Sequence, residues 1–198
     1  MKLRSVLAVL TLLVCLPAVH LAQEGSQEAP SPEEMMEAMM KLAAPGEHHE
    51  HLAMIAGDWT YNLKMWMPGS PEATESAGTV TSKWILGGRF LQSEMKGEFM
   101  GMPFHGIATD GYDTVNKQYI STWKDNMGTF MMHYSGQCNG SGKVRTMRSE
   151  FTDPMSGQKM KNRAITTVLT DDSYKYESFM VLPDENEFKN MEVVATRR

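Results

Sequence analysis

From Gly57 onward the chain alternates. Trp59, Tyr61, Leu63, Met65 and Met67 are apolar, and Thr60, Asn62 and Lys64 between them are polar. A period of two belongs to a strand with one face in a core and the other in water. Turn chemistry then recurs: Pro68 to Pro71, Gly87-Gly88, Gly101 to Pro103, Asp113 to Asn116, Asn126 to Gly128, Asn139 to Gly142, Asp153 to Gly157, Asp171-Asp172 and Pro183 to Asn186. These are Gly, Pro, Asn, Asp and Ser clusters of the kind that reverse a chain. Nine gaps separate ten strand candidates, and nothing helical interrupts them. A ten-stranded antiparallel meander leaves two edges unpaired unless it closes on itself. The expected fold is therefore mainly β: an antiparallel up-and-down β-barrel of about ten strands over residues 57–198. A barrel of that size can hold one small ligand inside.

Before Gly57 the pattern is different. Ser31-Pro32-Glu33-Glu34 reads as a helix start, with a Ser cap, Pro at the first position and acids in the first turn. That helix is expected to stop at Pro45-Gly46, and a second short helix fits Glu47 to Ala56. Residues 33–56 are thus one or two short α-helices preceding the barrel. Residues 23–32 hold Gln, Glu, Gly, Ser and two prolines and read as a flexible linker. Residues 1–22 have the plan of a signal peptide: Lys2 and Arg4, an apolar stretch from Val6 to Leu16, then small residues ending at Ala22. The apolar run is well short of the ~20 residues a spanning helix needs. An exported protein is expected, periplasmic or secreted, with no integral membrane segment after cleavage.

Composition sharpens this. Removing Lys2 and Arg4 takes the basic side chains from 19 to 17 against 24 acidic ones. No basic run survives, which argues against a nucleic-acid partner, since phosphate binding needs clustered cations. Cleavage would also remove Cys15 and leave Cys138 alone, so the core rather than a disulfide must hold the domain. Cys138 reads as a small residue beside the Asn139-Gly140 turn.

Gly57-Asp58-Trp59 resembles the Gly-x-Trp opening of lipocalin-like (calycin) barrels. The resemblance implies that Trp59 closes the barrel floor, often against an arginine of the last strand, for which Arg197 and Arg198 are available. Further signatures follow: His51-Leu52, Leu86 to Leu91, Gly101-x-Pro103-Phe104-x-Gly106, Gly111-Tyr112-Asp113, Thr122-Trp123-x-Asp125 and the strand Glu192 to Arg197. Together they resemble domain-of-unknown-function family 1579 of bacterial exported proteins, over about residues 47–198. That resemblance implies a lipocalin-like barrel of unassigned biochemical function and hands over no catalytic residues.

The corner Leu86-Gly87-Gly88-Arg89-Phe90-Leu91 raises a chemical question. With Gln92, Glu94 and Lys96 outward, alternation sends Arg89, Leu91, Ser93 and Met95 inward. An inward arginine needs a partner, because a buried unpaired charge is very costly. It would be met by a carboxylate or strand-end carbonyls, or would anchor an anionic ligand head by two-pronged hydrogen bonding.

Methionine is the compositional outlier, at 19 of 198 residues. It suits adaptable apolar surfaces, and Met65, Met67, Met95, Met131 and Met180 could line a cavity; ordinary core filling is the plainer reading. Met35-Met36-x-x-Met39-Met40 and Met131-Met132-His133 carry soft ligands that suit Cu(I), but methionines at helical spacing read more simply as a helix face packing on the barrel. Glu47-His48-His49-Glu50-His51 lacks the His-Glu-x-x-His order of zinc proteases; His51 reads as a capping or packing residue. His105 and His133 on strands leave a haem ligand open, with a satisfied structural histidine as the plainer reading. Catalysis has little support, since the chain has no Gly-x-Ser-x-Gly elbow, phosphate-cradling loop or Cys-x-x-Cys. Asp110, Asp113 and Asp125 near turns read as backbone-capping residues.

The sequence thus points to non-catalytic binding of a small hydrophobic or amphipathic molecule inside the barrel, with no cofactor implied. Trp59, Tyr61, Met65 and Trp123 would form the walls, and Arg89, with His133 or Arg163, would hold a polar head. The competing readings are a self-filled structural or interaction barrel and a Met/His metal or haem binder.

Overall fold

The computed structural model describes residues 29–154, 156–182 and 185–198. The signal-peptide expectation for residues 1–22 and residues 23–28 of the linker lie outside the described residues. Ten strands follow two helices: α1 (Pro32–Ala43), α2 (Glu47–Ala53), β1 (Gly57–Trp66), β2 (Ala73–Ile85), β3 (Phe90–Phe99), β4 (Met102–Asp113), β5 (Gln118–Asp125), β6 (Met132–Cys138), β7 (Val144–Thr152), β8 (Lys159–Thr170), β9 (Ser173–Val181) and β10 (Glu187–Arg197). Each strand pairs antiparallel with its sequence neighbour, and β1 pairs with β10 from Trp59↔Arg197 to Met65↔Met191. The sheet therefore closes, and the edge problem of a ten-stranded meander disappears.

The two ends of the barrel are built differently. β1 begins at the floor and rises to the mouth. The floor gathers α2 and the β2–β3, β4–β5, β6–β7 and β8–β9 corners; the mouth gathers the alternate loops. Trp59 is fully buried at the floor, donates its indole N–H to the Ile55 carbonyl at 3.1 Å, and packs edge-on against Tyr174. The Arg197 guanidinium lies over the Trp59 ring at 4.1 Å and donates to the carbonyls of Ala56 and Asp171. The last strand is thereby tied across the first and to the β8–β9 corner.

Helix α2 covers the rest of the floor. Leu52 is fully buried against Tyr119, Met147 and Ala164. The Nδ1 atoms of His48 and His51 lie 3.1 and 2.7 Å from the Tyr119 hydroxyl, and His48 stacks on Tyr112. His49 accepts the Gly46 N–H at 3.0 Å, which starts the helix. Gly142 closes the β6–β7 corner with φ +73°, and a Cβ there would meet the His51 ring at 2.2 Å, so only glycine fits both the backbone and the helix.

Helix α1 carries the anticipated capping box, with the Ser31 N–H on Glu34 and the Glu34 N–H on the Ser31 hydroxyl. It buries none of its residues, however, and Met35, Met36, Met39 and Met40 are exposed. The expectation that its methionine face packs on the barrel is corrected. α1 is tied to the domain through the Leu42 carbonyl, which accepts from Thr114 Oγ1 at 3.0 Å.

Candidate functional site: a cavity inside the barrel

Inward positions on all ten strands enclose a cavity of about 450 Å³. Its upper wall is apolar: Met65, Phe99, Phe104, Trp123, Met127, Met132, Phe151, Met180 and Met191. Small inward residues keep the interior open. β4 presents Gly106 and Ala108, and β8 presents Ala164. A Cβ on Gly106 would meet the Trp123 ring at 2.3 Å, so this glycine lets Trp123 lie flat against the wall, where it stacks on Phe104.

The deep end is polar. Asp110, near the end of β4, and Arg145, the second residue of β7, are both buried and face one another, with Nη2 to Oδ1 at 3.5 Å. Ser93, Ser121, Thr166 and Tyr174 line the same cavity. A charge pair out of water is stable only when its partners and hydrogen bonds are in place. Here the set is incomplete. Arg145 Nε is buried and has no hydrogen-bond partner among the described residues; nearer the mouth, the same holds for the Oδ1 atoms of Asn162, opposite Met180, and of Asn190, next to Met191. Burial pushes the Tyr176 hydroxyl up to about 12 and raises those of Tyr134 and Tyr174 as well. These phenols stay protonated, and Tyr134 donates its O–H to Met132 Sδ at 3.5 Å.

The residues expected at the site divide. Tyr61, Met65 and Trp123 line the cavity, Trp123 with its indole N–H on Asp125 Oδ2 at 2.8 Å. Trp59 lies beneath it in the floor. Met95 and Met180 line it, while Met67 and Met131 are exposed. Arg89 does not enter. Leu86, Gly87 and Gly88 all take positive φ (50°, 66° and 85°), so β3 begins only at Phe90. The alternation that sends Leu91, Ser93 and Met95 inward does not reach back through that corner. Arg89 is exposed and donates to the Leu86 carbonyl at 3.2 Å. His133 and Arg163 are also corrected. Each flanks an inward residue, Tyr134 on β6 and Asn162 and Ala164 on β8, and so points outward. Arg163 forms a two-pronged pair with Glu187 and lies over Phe179. His105 faces outward against Glu94 at 2.8 Å, so neither strand histidine reaches the interior as a haem ligand would.

Asp113 and Asp125 cap turns, accepting the N–H groups of Val115 and Asn116 and of Met127. Asp110 does not; it is the buried carboxylate of the cavity's deep end. Arg145 and Asp110 are the residues that reading turns and corners overlooked. Continued alternation would have found them, through Phe104-x-Gly106-x-Ala108-x-Asp110 and Arg145-x-Met147-x-Ser149-x-Phe151. Among the described residues no group of three His, Cys, Asp or Glu side chains could hold a metal ion, and no helix is long and apolar enough to cross a membrane.

Among solved structures, the barrel resembles Rv2717c from M. tuberculosis, with a TM-score of 0.59 and 13% identity over 78% of this chain and 99% of that one. At that identity the likeness speaks to the fold alone. A redesigned β-barrel aligns at a TM-score of 0.39, 14% identity, over 74% of this chain and 93% of its own. No curated protein matches the sequence. A family model does match, over residues 44–197, which takes in α2 and every strand: the chain belongs to the family of proteins of unknown function DUF1579.

Proposed function

We propose that this protein is an exported, non-catalytic container that binds one small hydrophobic or amphipathic molecule inside its barrel. The observation that carries the reading is the cavity of about 450 Å³ with an apolar wall and a few convergent polar groups at its deep end. That size and composition fall in the range of small-molecule sites. They favour a container over a barrel filled by its own side chains. Export rests on the basic, apolar and small-residue plan of residues 1–22.

Filling the space tests the reading. Ala108 lines the cavity, and Ala108→Trp would occupy much of it. The neutral fluorophore N-phenyl-1-naphthylamine should brighten with the wild-type protein and stay dim with the variant, circular dichroism being unchanged. Equal brightening of both would put the dye on an outer surface and remove the container reading. So would no brightening of either.

A further inference from the structure

We infer that the cavity selects ligands whose polar head is uncharged and both donates and accepts hydrogen bonds, such as an alcohol or amide, and disfavours carboxylates. This rests on the container reading and adds the chemical class of the ligand.

The argument is the charge on the inner wall. Among the described residues lining the cavity, the charged ones are Asp110, Asp125, Glu98 and Arg145: three carboxylates and one guanidinium. The single cation is already matched, because Arg145 Nη2 faces Asp110 Oδ1 at 3.5 Å with both side chains buried. A carboxylate head brought to Arg145 would meet the Asp110 carboxylate in a medium of low dielectric, where like charges repel strongly. It would also pass Asp125 near the mouth. A neutral head meets no such barrier.

The buried polar atoms ask for the same chemistry. Arg145 Nε is a donor with no partner among the described residues, and the Asp110 carboxylate beside it accepts hydrogen bonds. Arg145 and Asp110 are both more than nine-tenths buried, at 8% and 7% exposure. A carboxylate could accept from Arg145 but has no proton to donate to Asp110. A hydroxyl or primary amide can do both. Leaving buried polar atoms unpaired is the costly alternative.

The test holds the tail constant and changes the head. Decanol below its solubility limit and decanoate below its critical micelle concentration, both at pH 8, are titrated against bound N-phenyl-1-naphthylamine. Decanol should displace the dye at least about tenfold more tightly, a difference of about 1.4 kcal/mol. Part of any such gap reflects the hydration of the free carboxylate, so the decisive readout is how the ratio moves. Asp110→Asn keeps the shape and releases the charge of Arg145, and should shrink the alcohol-to-carboxylate ratio several-fold. Asp125→Asn, which can still cap its turn, should shrink it less and covers the case in which Asp110→Asn does not fold. A wild-type protein that takes decanoate as tightly as decanol would overturn the inference and leave the container reading standing. So would a ratio that neither variant moves. A dye that binds but yields to neither competitor would count against the head-group selection, and a dye that never binds would remove the container itself.

Discussion

The floor and the mouth of this barrel are made from the same alternating strands, yet they solve opposite problems. The floor is closed by large, fully buried side chains with fixed partners: Trp59 between Ile55, Tyr174 and Arg197, and Leu52 against Tyr119. The mouth is lined by methionine and phenylalanine with few polar ties, and Met127 there is 45% exposed. Rigid aromatic packing fixes one geometry, whereas thioethers adapt to whatever touches them. The fold's stability is thus concentrated at one end and its freedom to accommodate a guest at the other.

Truncating a side chain at each end gives the widest contrast. Trp59→Ala removes a fully buried ring, its hydrogen bond and the seat of Arg197, and should cost about 3–5 kcal/mol. Phe151→Ala, half-buried at the mouth, should cost about 1–2 kcal/mol. Urea unfolding of both variants checks this, and equal losses would break the comparison.

A smaller effect should appear with pH. Burial holds the His49 imidazole below its ordinary pKa, and neutral Nδ1 accepts the Gly46 N–H. The unfolded chain therefore binds a proton below about pH 6.5 that the native floor resists. Stability from this group is complete above that pH and declines as pH falls from about 6.5 towards the lowered native value. Glu177 and Glu187, whose carboxyls are held low, act in a separate window below about 4.5. His49→Gln should flatten the upper window and leave the lower one. Thermal unfolding followed from pH 7.5 to 3.5 separates the two, and an unchanged upper slope would show that α2 does not exclude protons from the floor.

The smallest effect belongs to Arg89. It sits at the floor end but outside the packing, so Arg89→Ala should change stability by no more than about 0.5 kcal/mol and leave dye binding unaltered. A clear loss of binding would return the arginine to the site.

The barrel was legible because period-two alternation and turn clusters are local signals, and ten of them leave few ways to avoid closure. The apolar wall was partly legible for the same reason: Tyr61, Met65 and Trp123 follow the alternation of their strands. The polar end was not. Asp110 lies three residues before the Asp113 corner and reads as a turn aspartate, and Arg145 stands just past the Asn139–Gly142 turn. Charges beside turns usually face water. What sends these two inward is the closure of β4 and β7 into one barrel, where each can meet the other. Arg89 failed in the opposite sense, because three left-handed residues reset the face of the chain just before it. His133 and Arg163 depended on strand phase, which Tyr134, Asn162 and Ala164 fix only once the inner face is known.

The central claim is that the barrel holds a guest at its polar end. Native mass spectrometry of the purified protein, beside a denatured control and followed by solvent extraction, tests it most directly. The account predicts a reproducible extra mass that is lost on denaturation and extracts as an uncharged amphipathic compound. A protein of bare mass that also takes up no N-phenyl-1-naphthylamine would contradict it.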